Sequence, residues 1–299
     1  MNFRFVFTLG LVGAVALGAA PRAQSRDSDR IRVRVRDRIV ERSLEAVAMR
    51  TAFEQANDDP CRDRGGDRDD YNFCEVREES MSAGPLTVDA GTNGGIRVEG
   101  WDRNEIHVQA VINTHARNEA DAKQLASGVQ IQAGSGKVTA TGPSSTGRRE
   151  GWSVSFRINV PRHNDLDLNA NNGGVTISGV SGNIRFDTNN GGVRLVDLGG
   201  DVKGATHNGG LNVLLGGTRW DGPGLDVETT NGGVTLSIPD GYNADLTTRT
   251  VNGGFRTELP ITIQGELTSL QGVSTTLGSG GPPVRVRTTN GGLRISRRE

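Results

Sequence analysis

Residues 171–202 read NNGGVTISGVSGNIRFDTNNGGVRLVDLGGDV, and the rhythm within them decides how the rest of the chain is read. Asn-Gly-Gly begins at Asn172 and again 18 residues later at Asn190, followed each time by an alternating run, Val175 with Ile177 and Val193 with Leu195. Such alternation marks a half-buried strand. Further triplets begin at Asn93, Asn208, Asn231, Asn252 and Asn290, so the steps from Asn172 onward are 18, 18, 23, 21 and 38 residues, the last close to two steps of 19. A second short strand follows within the unit, as in Ile184 with Phe186 or Leu225 with Val227.

Asn followed by Gly accepts positive φ with little penalty, so each triplet is a place for the chain to turn sharply between strands. Two strands and two turns trace roughly 60 Å of extended chain, enough for one rung of a coil. Rungs stacked ~4.8 Å apart would bring equivalent Asn amides over one another, where they can donate and accept in a ladder. A meander of hairpins would use the same turn chemistry, whereas a coil of constant circumference must repeat at a fixed period. The expected fold is therefore all-β: a β-solenoid (a single-stranded β-helix) with Asn-Gly-Gly turns over residues 166–299. In that reading the rung beginning at Asn290 ends the coil.

Residues 85–165 precede the repeats as a β-rich part. Leu86, Val88 and Ala90 alternate, as do Ile106, Val108, Ala110 and Ile112, and again Val154, Phe156, Ile158 and Val160. One helix interrupts them. Asn118 with Glu119 and Asp121 signals its start, Ala122 and Leu125 give an apolar edge, and Gly128 stops it.

The N-terminus reads as an address. Arg4 precedes an apolar run from Phe5 to Ala20, followed by small residues and then charge from Arg26. This is the pattern of a signal peptide over residues 1–23, with cleavage after Ala23. No Cys follows the run to carry a lipid anchor, and the remaining sequence has no second apolar segment long enough to span a membrane. Residues 24–84 form a polar leader in which Val40, Leu44, Val47 and Ala48 fall at helical spacing. Cys61 and Cys74 enclose twelve residues too polar to pack alone. In an oxidising compartment they are expected to form one disulfide, contributing on the order of 3 kcal/mol by the loop-entropy account. The expected location is the periplasm or the cell surface.

Composition sets limits on partners. With 43 Gly, 10 Pro and 4% aromatic residues, the core is thin and the chain dense in turns. A formal net charge of -1 provides no field to hold nucleic acid by counterion release. Nothing in the sequence calls for a cofactor or a metal: no CxxC or HExxH occurs, and the neutral Asn of the repeat lacks the carboxylates of a calcium-binding roll.

The run 171–202, the closing GSGGPPVRVRTTNGGLRIS of 278–296 and the leading CEVRE of 74–78 with GPLTVDAGTNGGIRVEGWD of 84–102 resemble the bacterial β-strand-repeat proteins described as "putative adhesins". The resemblance covers residues 74–299. It implies an exported, β-helical envelope protein and carries no catalytic residues with it.

Candidate chemistry is sparse. Trp220 lies in Gly-Gly-Thr-Arg-Trp-Asp-Gly-Pro-Gly, within the 23-residue unit, whose excess is expected to leave the coil as a loop. Arg219, Trp220 and Asp221 on such a loop could stack on and hydrogen-bond a sugar ring. Asp165 and Asp167 share a strand face, a pairing that a polysaccharide-cleaving β-helix could use. No other rung repeats or completes that cluster, so a polar outer face opposite an apolar inner one is the favoured reading. His107, His115, His163 and His207 show no metal or nucleophile spacing, and Trp101 and Trp152 follow Gly in strand-rich segments where packing is the expected role. The function read from the sequence is an exported noncatalytic scaffold for adhesion or binding, with envelope polysaccharide or another envelope protein as partner. The alternative is a carbohydrate-active β-helix enzyme of lyase or hydrolase type.

Overall fold

The computed structural model describes residues 60–61, 70–144, 149–259 and 271–298. The signal peptide and the leader helix expected within residues 1–59 lie outside them. The described residues form twenty strands and one helix. The repeat region alternates between two sheets. Strands β8 (Leu166–Ala170), β10 (Ser181–Asn190), β12 (Gly199–Asn208), β14 (Gly224–Asn231), β16 (Ala244–Asn252) and β19 (Pro283–Asn290) lie in sheet II. Each continues through its triplet into a strand of sheet I: β9 (Val175–Ser178), β11 (Val193–Val196), β13 (Leu211–Leu214), β15 (Val234–Ile238), β17 (Phe255–Thr257) and β20 (Leu293–Arg297). Neighbouring rungs pair parallel and in register, so Asn190 stands beside Asn208 and Val193 beside Leu211.

The inward residues of both sheets make one hydrophobic core, built from small aliphatic side chains such as Ile184, Val193, Leu195, Val213 and Leu225. At ~25 cal/mol per Å² of apolar surface, such a core stabilises through many modest contributions rather than a few aromatic anchors.

The triplet works differently from the turn chemistry read in the sequence. None of its glycines has a left-handed φ; those lie elsewhere, as at Gly179 (φ 65) and Gly200 (φ 90). The first glycine is instead demanded by close stacking. A Cβ on Gly209 would stand 2.0 Å from the Gly191 carbonyl oxygen, and one on Gly191 would stand 2.1 Å from that of Gly173. Beside it the Asn side chains form a continuous ladder, in the order Asn93, Asn172, Asn190, Asn208, Asn231, Asn290, Asn252, each amide N–H donating to the side-chain oxygen of the Asn before it at 2.8–3.1 Å. A second ladder runs inside. Thr188, Thr206, Thr229, Thr288 and Thr250, each two residues before an Asn, are buried and donate to the first-glycine carbonyl of the neighbouring rung at 2.8–2.9 Å. These bonds supply partners to the carbonyls of the half-buried corner glycines.

The ladder order corrects the expectation that the Asn290 rung ends the coil. Strands β19 and β20 pair with β14 and β15 on one side and with β16 and β17 on the other, so the last rung in sequence is inserted between two earlier ones. The chain travels past that gap to lay down β16 and β17, adds β18 (Gly272–Leu277) antiparallel outside β16, and returns to fill it.

The other end is reordered too. Strands β2 (Leu86–Asp89) and β3 (Ile96–Trp101) form a rung between β8–β9 and a rung of β6 (Lys137–Thr141) and β7 (Gly151–Pro161). Antiparallel strands finish this end: β1 (Tyr71–Ser82) and β4 (Glu105–Ala116) in sheet I, and β5 (Gln130–Gly134) in sheet II. Residues 71–82, grouped with the polar leader by composition, are thus a twelve-residue edge strand. Their alternation is blurred because Glu75, Arg77 and Glu79 occupy the side that core residues hold elsewhere, an arrangement suited to an edge.

Helix α1 (Glu119–Gly128) runs where the sequence places it, with the Asn118 side chain accepting the Asp121 N–H at 2.9 Å. Its buried residues are Ala122 and Ala126 rather than Leu125. Arg77 donates to the carbonyls of Ala126 and Val129 at 3.0 and 2.6 Å, which satisfies the helix C-terminus from β1. The Cys61–Cys74 disulfide is formed, with Cα atoms 5.7 Å apart, and ties residue 61 to β1. Among the described residues no helix is long and apolar enough to cross a membrane.

Candidate functional site

The flat outside of sheet II carries the densest set of charged groups, because every second residue of each rung points away from the core. In register, β8 presents Asp167, β10 Arg185, β12 Lys203, β14 Asp226 and β19 Arg285; the next row holds Asn169, Asp187, Ala205, Glu228 and Arg287. Both signs are interspersed across the strands, and the groups pair. Asp201 accepts from Lys203 at 2.9 Å and from Arg185 at 3.4 Å, and the Lys203 ammonium beside it holds its carboxyl below the usual range. Arg287 bridges Asp226 at 2.7 Å and Glu228 at 3.4 Å.

In the middle of this lattice lies an open depression of about 360 Å³ with Phe186, Gly204 and Ala205 at its base. The short Ala205 makes it, standing where its neighbours in the row are Asp187 and Glu228; on the inner side of the same strand Gly204 leaves room for the Phe186 ring, 2.5 Å from where a Cβ would sit. The result is a polar, shallow surface of interspersed donors and acceptors, suited to holding an extended polar chain.

The residues singled out from the sequence do not gather here. Trp220 is 3% exposed, and its indole N–H donates to the Gly200 carbonyl at 2.9 Å, so neither ring face is open to a sugar. Arg219 and Asp221 are exposed on either side of it. The excess of the long unit does not leave the stack: the Asp221 carbonyl accepts the Gly200 N–H at 2.6 Å and Arg219 bridges to Asn243. Trp101 and Trp152 likewise donate to carbonyls, of Glu105 and Pro143. Arg103 lies 4.8 Å from the Trp101 ring centroid and His107 stacks on the same ring.

The Asp165 and Asp167 pair separates into two roles. Asp165 accepts the Asn183 N–H at 2.7 Å and serves the corner, while Asp167 stands exposed beside Asn169. His163 hydrogen-bonds Ser181 at 3.1 Å, and His115 and His207 face solvent. Among the described residues no group of three or more His, Cys, Asp or Glu is placed to hold a metal ion. His107 Nδ1 lies 3.3 Å from Ser80 Oγ and its Nε2 3.9 Å from Glu78, but these three sit on the exterior of strands β1 and β4, with Glu78 and Ser80 exposed. Sequence reasoning missed the inner Thr ladder, although Thr two residues before Asn in five of the seven triplets was there to be read.

No curated protein matches the sequence. Among solved structures, a "putative cell adhesion protein" of Clostridium sporogenes is 11% identical, covers 75% of this chain and 100% of its own, and superposes with a TM-score of 0.40. A "putative adhesin" of Bacteroides fragilis is 11% identical over 75% of this chain and 97% of its own, with a TM-score of 0.30. A "putative lipid binding protein" of Parabacteroides distasonis is 11% identical over 76% and 97%, also with a TM-score of 0.30. The sequence profile of the Toastrack DUF4097 family matches residues 84–296, from the turn before β2 into β20, and the chain belongs to that family.

Proposed function

We propose that the protein is an exported, noncatalytic binding scaffold of the cell envelope, released from its signal peptide behind Ala23 and working in the periplasm or at the cell surface. On this reading it is a single-stranded β-solenoid with Asn-Gly-Gly corners, which presents flat sheet faces to envelope polysaccharide or to another envelope protein. The observation that carries the proposal is the outside of sheet II, where charged side chains pair across rungs around an open depression instead of converging on a reacting atom. The Cys61–Cys74 disulfide supports an oxidising compartment.

The test is to immobilise the full chain and pass over it polysaccharide and protein fractions of the producing envelope, following both binding and release of reducing ends. Saturable binding without product is expected. Reducing ends released in proportion to the protein would overturn the scaffold reading in favour of a carbohydrate-active enzyme.

A further inference from the structure

The outside of sheet I differs in charge from that of sheet II. The fourth residue after each triplet Asn points outward there, and in three of the described rungs of the repeat region and one at the N-terminal end it is arginine: Arg194, Arg294, Arg256 and Arg97. Strand β7 adds Arg157 in register beside Arg97. Thr176, Asn212 and Thr235 fill the intervening positions, so the row reads Arg, Arg, Thr, Arg, Asn, Thr, Arg, Arg along the stack. With strands ~4.8 Å apart it extends about 34 Å. Among the described residues, Arg97 pairs with Glu99 at 3.9 Å and Arg294 with Glu258. Arg194 and Arg256 are exposed and make no ion pair among the described residues.

A trough runs beside the row, where the second glycine of each triplet faces outward. Near its end Gly210, Gly233, Gly292 and Gly254 line a groove of about 450 Å³ with Arg294 and Arg256 along one side. Packing demands the second glycine at Gly174, where a Cβ would stand 2.8 Å from the Gly192 carbonyl oxygen, but not in this part of the stack. A Cβ on Gly210 would lie 3.5 Å from the Gly233 carbonyl oxygen, ordinary contact, and one on Gly254 would meet nothing within 4 Å. None of these glycines has a left-handed φ.

We propose that sheet I binds a linear anionic polysaccharide, laid along the stack across the strands, with carboxylate or sulfate groups against the arginine row and sugar rings in the glycine trough. The proposal rests on the scaffold reading above and names the ligand class of a second face. Arginine grips carboxylate and sulfate through paired N–H donors, and the row offers such a fork at multiples of the strand spacing. One pyranose ring of an extended glycan advances by about one strand spacing, so successive rings meet successive rungs. The other polyanions fit less well. The three tryptophans are tied into the fold through their N–H groups, so they give no platform for unpaired bases. The large exposed apolar residues of the described chain are Tyr71 and Val251, too little for membrane insertion.

The experiment uses the full chain and polygalacturonate as probe, with neutral dextran and a single-stranded oligonucleotide of similar length for comparison. Polygalacturonate should bind in a salt-dependent manner, dextran weakly, and the oligonucleotide less tightly than the uronate polymer. Arg194→Gln with Arg294→Gln should weaken polygalacturonate binding about tenfold and flatten its salt dependence. Arg103→Gln with Arg117→Gln, a matched loss of charge at exposed positions flanking β4, should leave it unchanged. Gly210→Leu, which fills the trough without altering charge, should weaken the uronate polymer and spare the oligonucleotide. Undiminished binding by the sheet I variants overturns this inference while leaving the scaffold reading intact. Cleavage of the bound polymer removes the scaffold reading while leaving the site. Equal loss for oligonucleotide and glycan on trough filling, or tighter binding of the oligonucleotide, overturns the choice of a glycan.

Discussion

Arg298 closes on the carboxylate of Asp197, 101 residues earlier in the chain, with both terminal nitrogens of its guanidinium, and one of them also donates to the Leu215 carbonyl at 2.7 Å. The contact spans β13 and β15 and pins the C-terminal end of the inserted rung to rungs laid down before it. Asp197 is about half exposed, so the pair is discounted for solvent: Arg298→Ala should lower stability by about 1 kcal/mol. Urea unfolding with an unchanged m-value checks this. An unaltered midpoint would mean that backbone pairing alone holds the rung.

The two glycines of one triplet should respond in opposite ways to the same methyl group. Gly209→Ala forces a Cβ onto a neighbouring carbonyl, backbone against backbone, and should cost about 3 kcal/mol or more. Gly210→Ala has room and should change stability by less than about 1 kcal/mol. Thermal unfolding of the two variants side by side decides it; comparable losses would refute close stacking as the reason for the first glycine.

Position in the Asn ladder, rather than position in the sequence, should set the cost of losing an Asn. Asn208→Ala and Asn290→Ala each break two side-chain bonds and should cost about 1–2 kcal/mol, while Asn252→Ala breaks one and should cost about half as much. Should Asn290→Ala prove the mildest of the three, the inserted position of the last rung is wrong.

Burial pushes the Tyr242 phenol up to about 12. The folded chain therefore holds this proton more tightly than the unfolded one, whose tyrosines ionise near ~10. Its contribution is complete below that pH and is lost as pH rises through the folded value. Stability should decline above pH ~10, and Tyr242→Phe should remove that share of the decline while leaving stability at pH 7 within about 1 kcal/mol. Urea midpoints across the alkaline range, read with phenolate absorbance, test it; an identical alkaline slope in the variant would exclude Tyr242 as the source.

Trp220→Ala should behave as a core truncation, costing about 3–5 kcal/mol. At a temperature where the variant remains folded, glycan binding should be unchanged. A selective loss of binding at full stability would restore Trp220 as a contact residue.

Strand positions were legible in the sequence wherever one face is buried and the other wet, as at Val193 and Leu195, and the helix was legible from Asn118 because a capping side chain declares its own role. Rung order was not. Every rung repeats the same apolar spacing around its triplet, so the Asn290 rung matches Asn231 or Asn252 equally well, and what separates them is the path of the chain around β18. Trp220 misled because an aromatic among glycines reads as a loop, whereas Gly200 and Gly222 let the backbone approach closely enough to bury it. The arginine row becomes visible only when the triplets are aligned and the fourth position is compared, a pattern without meaning until the register of sheet I is known.

The inserted rung has a consequence for assembly. A chain made from its N-terminus onward presents β16 and β17 before the strands they must lie against exist, so this rung waits unpaired on its inner side until residues 283–297 arrive. The C-terminal segment acts as the keystone of an arch, the last stone delivered and the one that transmits load between its neighbours. A chain clipped within residues 283–297 would lose contacts in the interior of the stack rather than at a dispensable tip, and the completed stack thereby certifies that synthesis has passed the inserted rung.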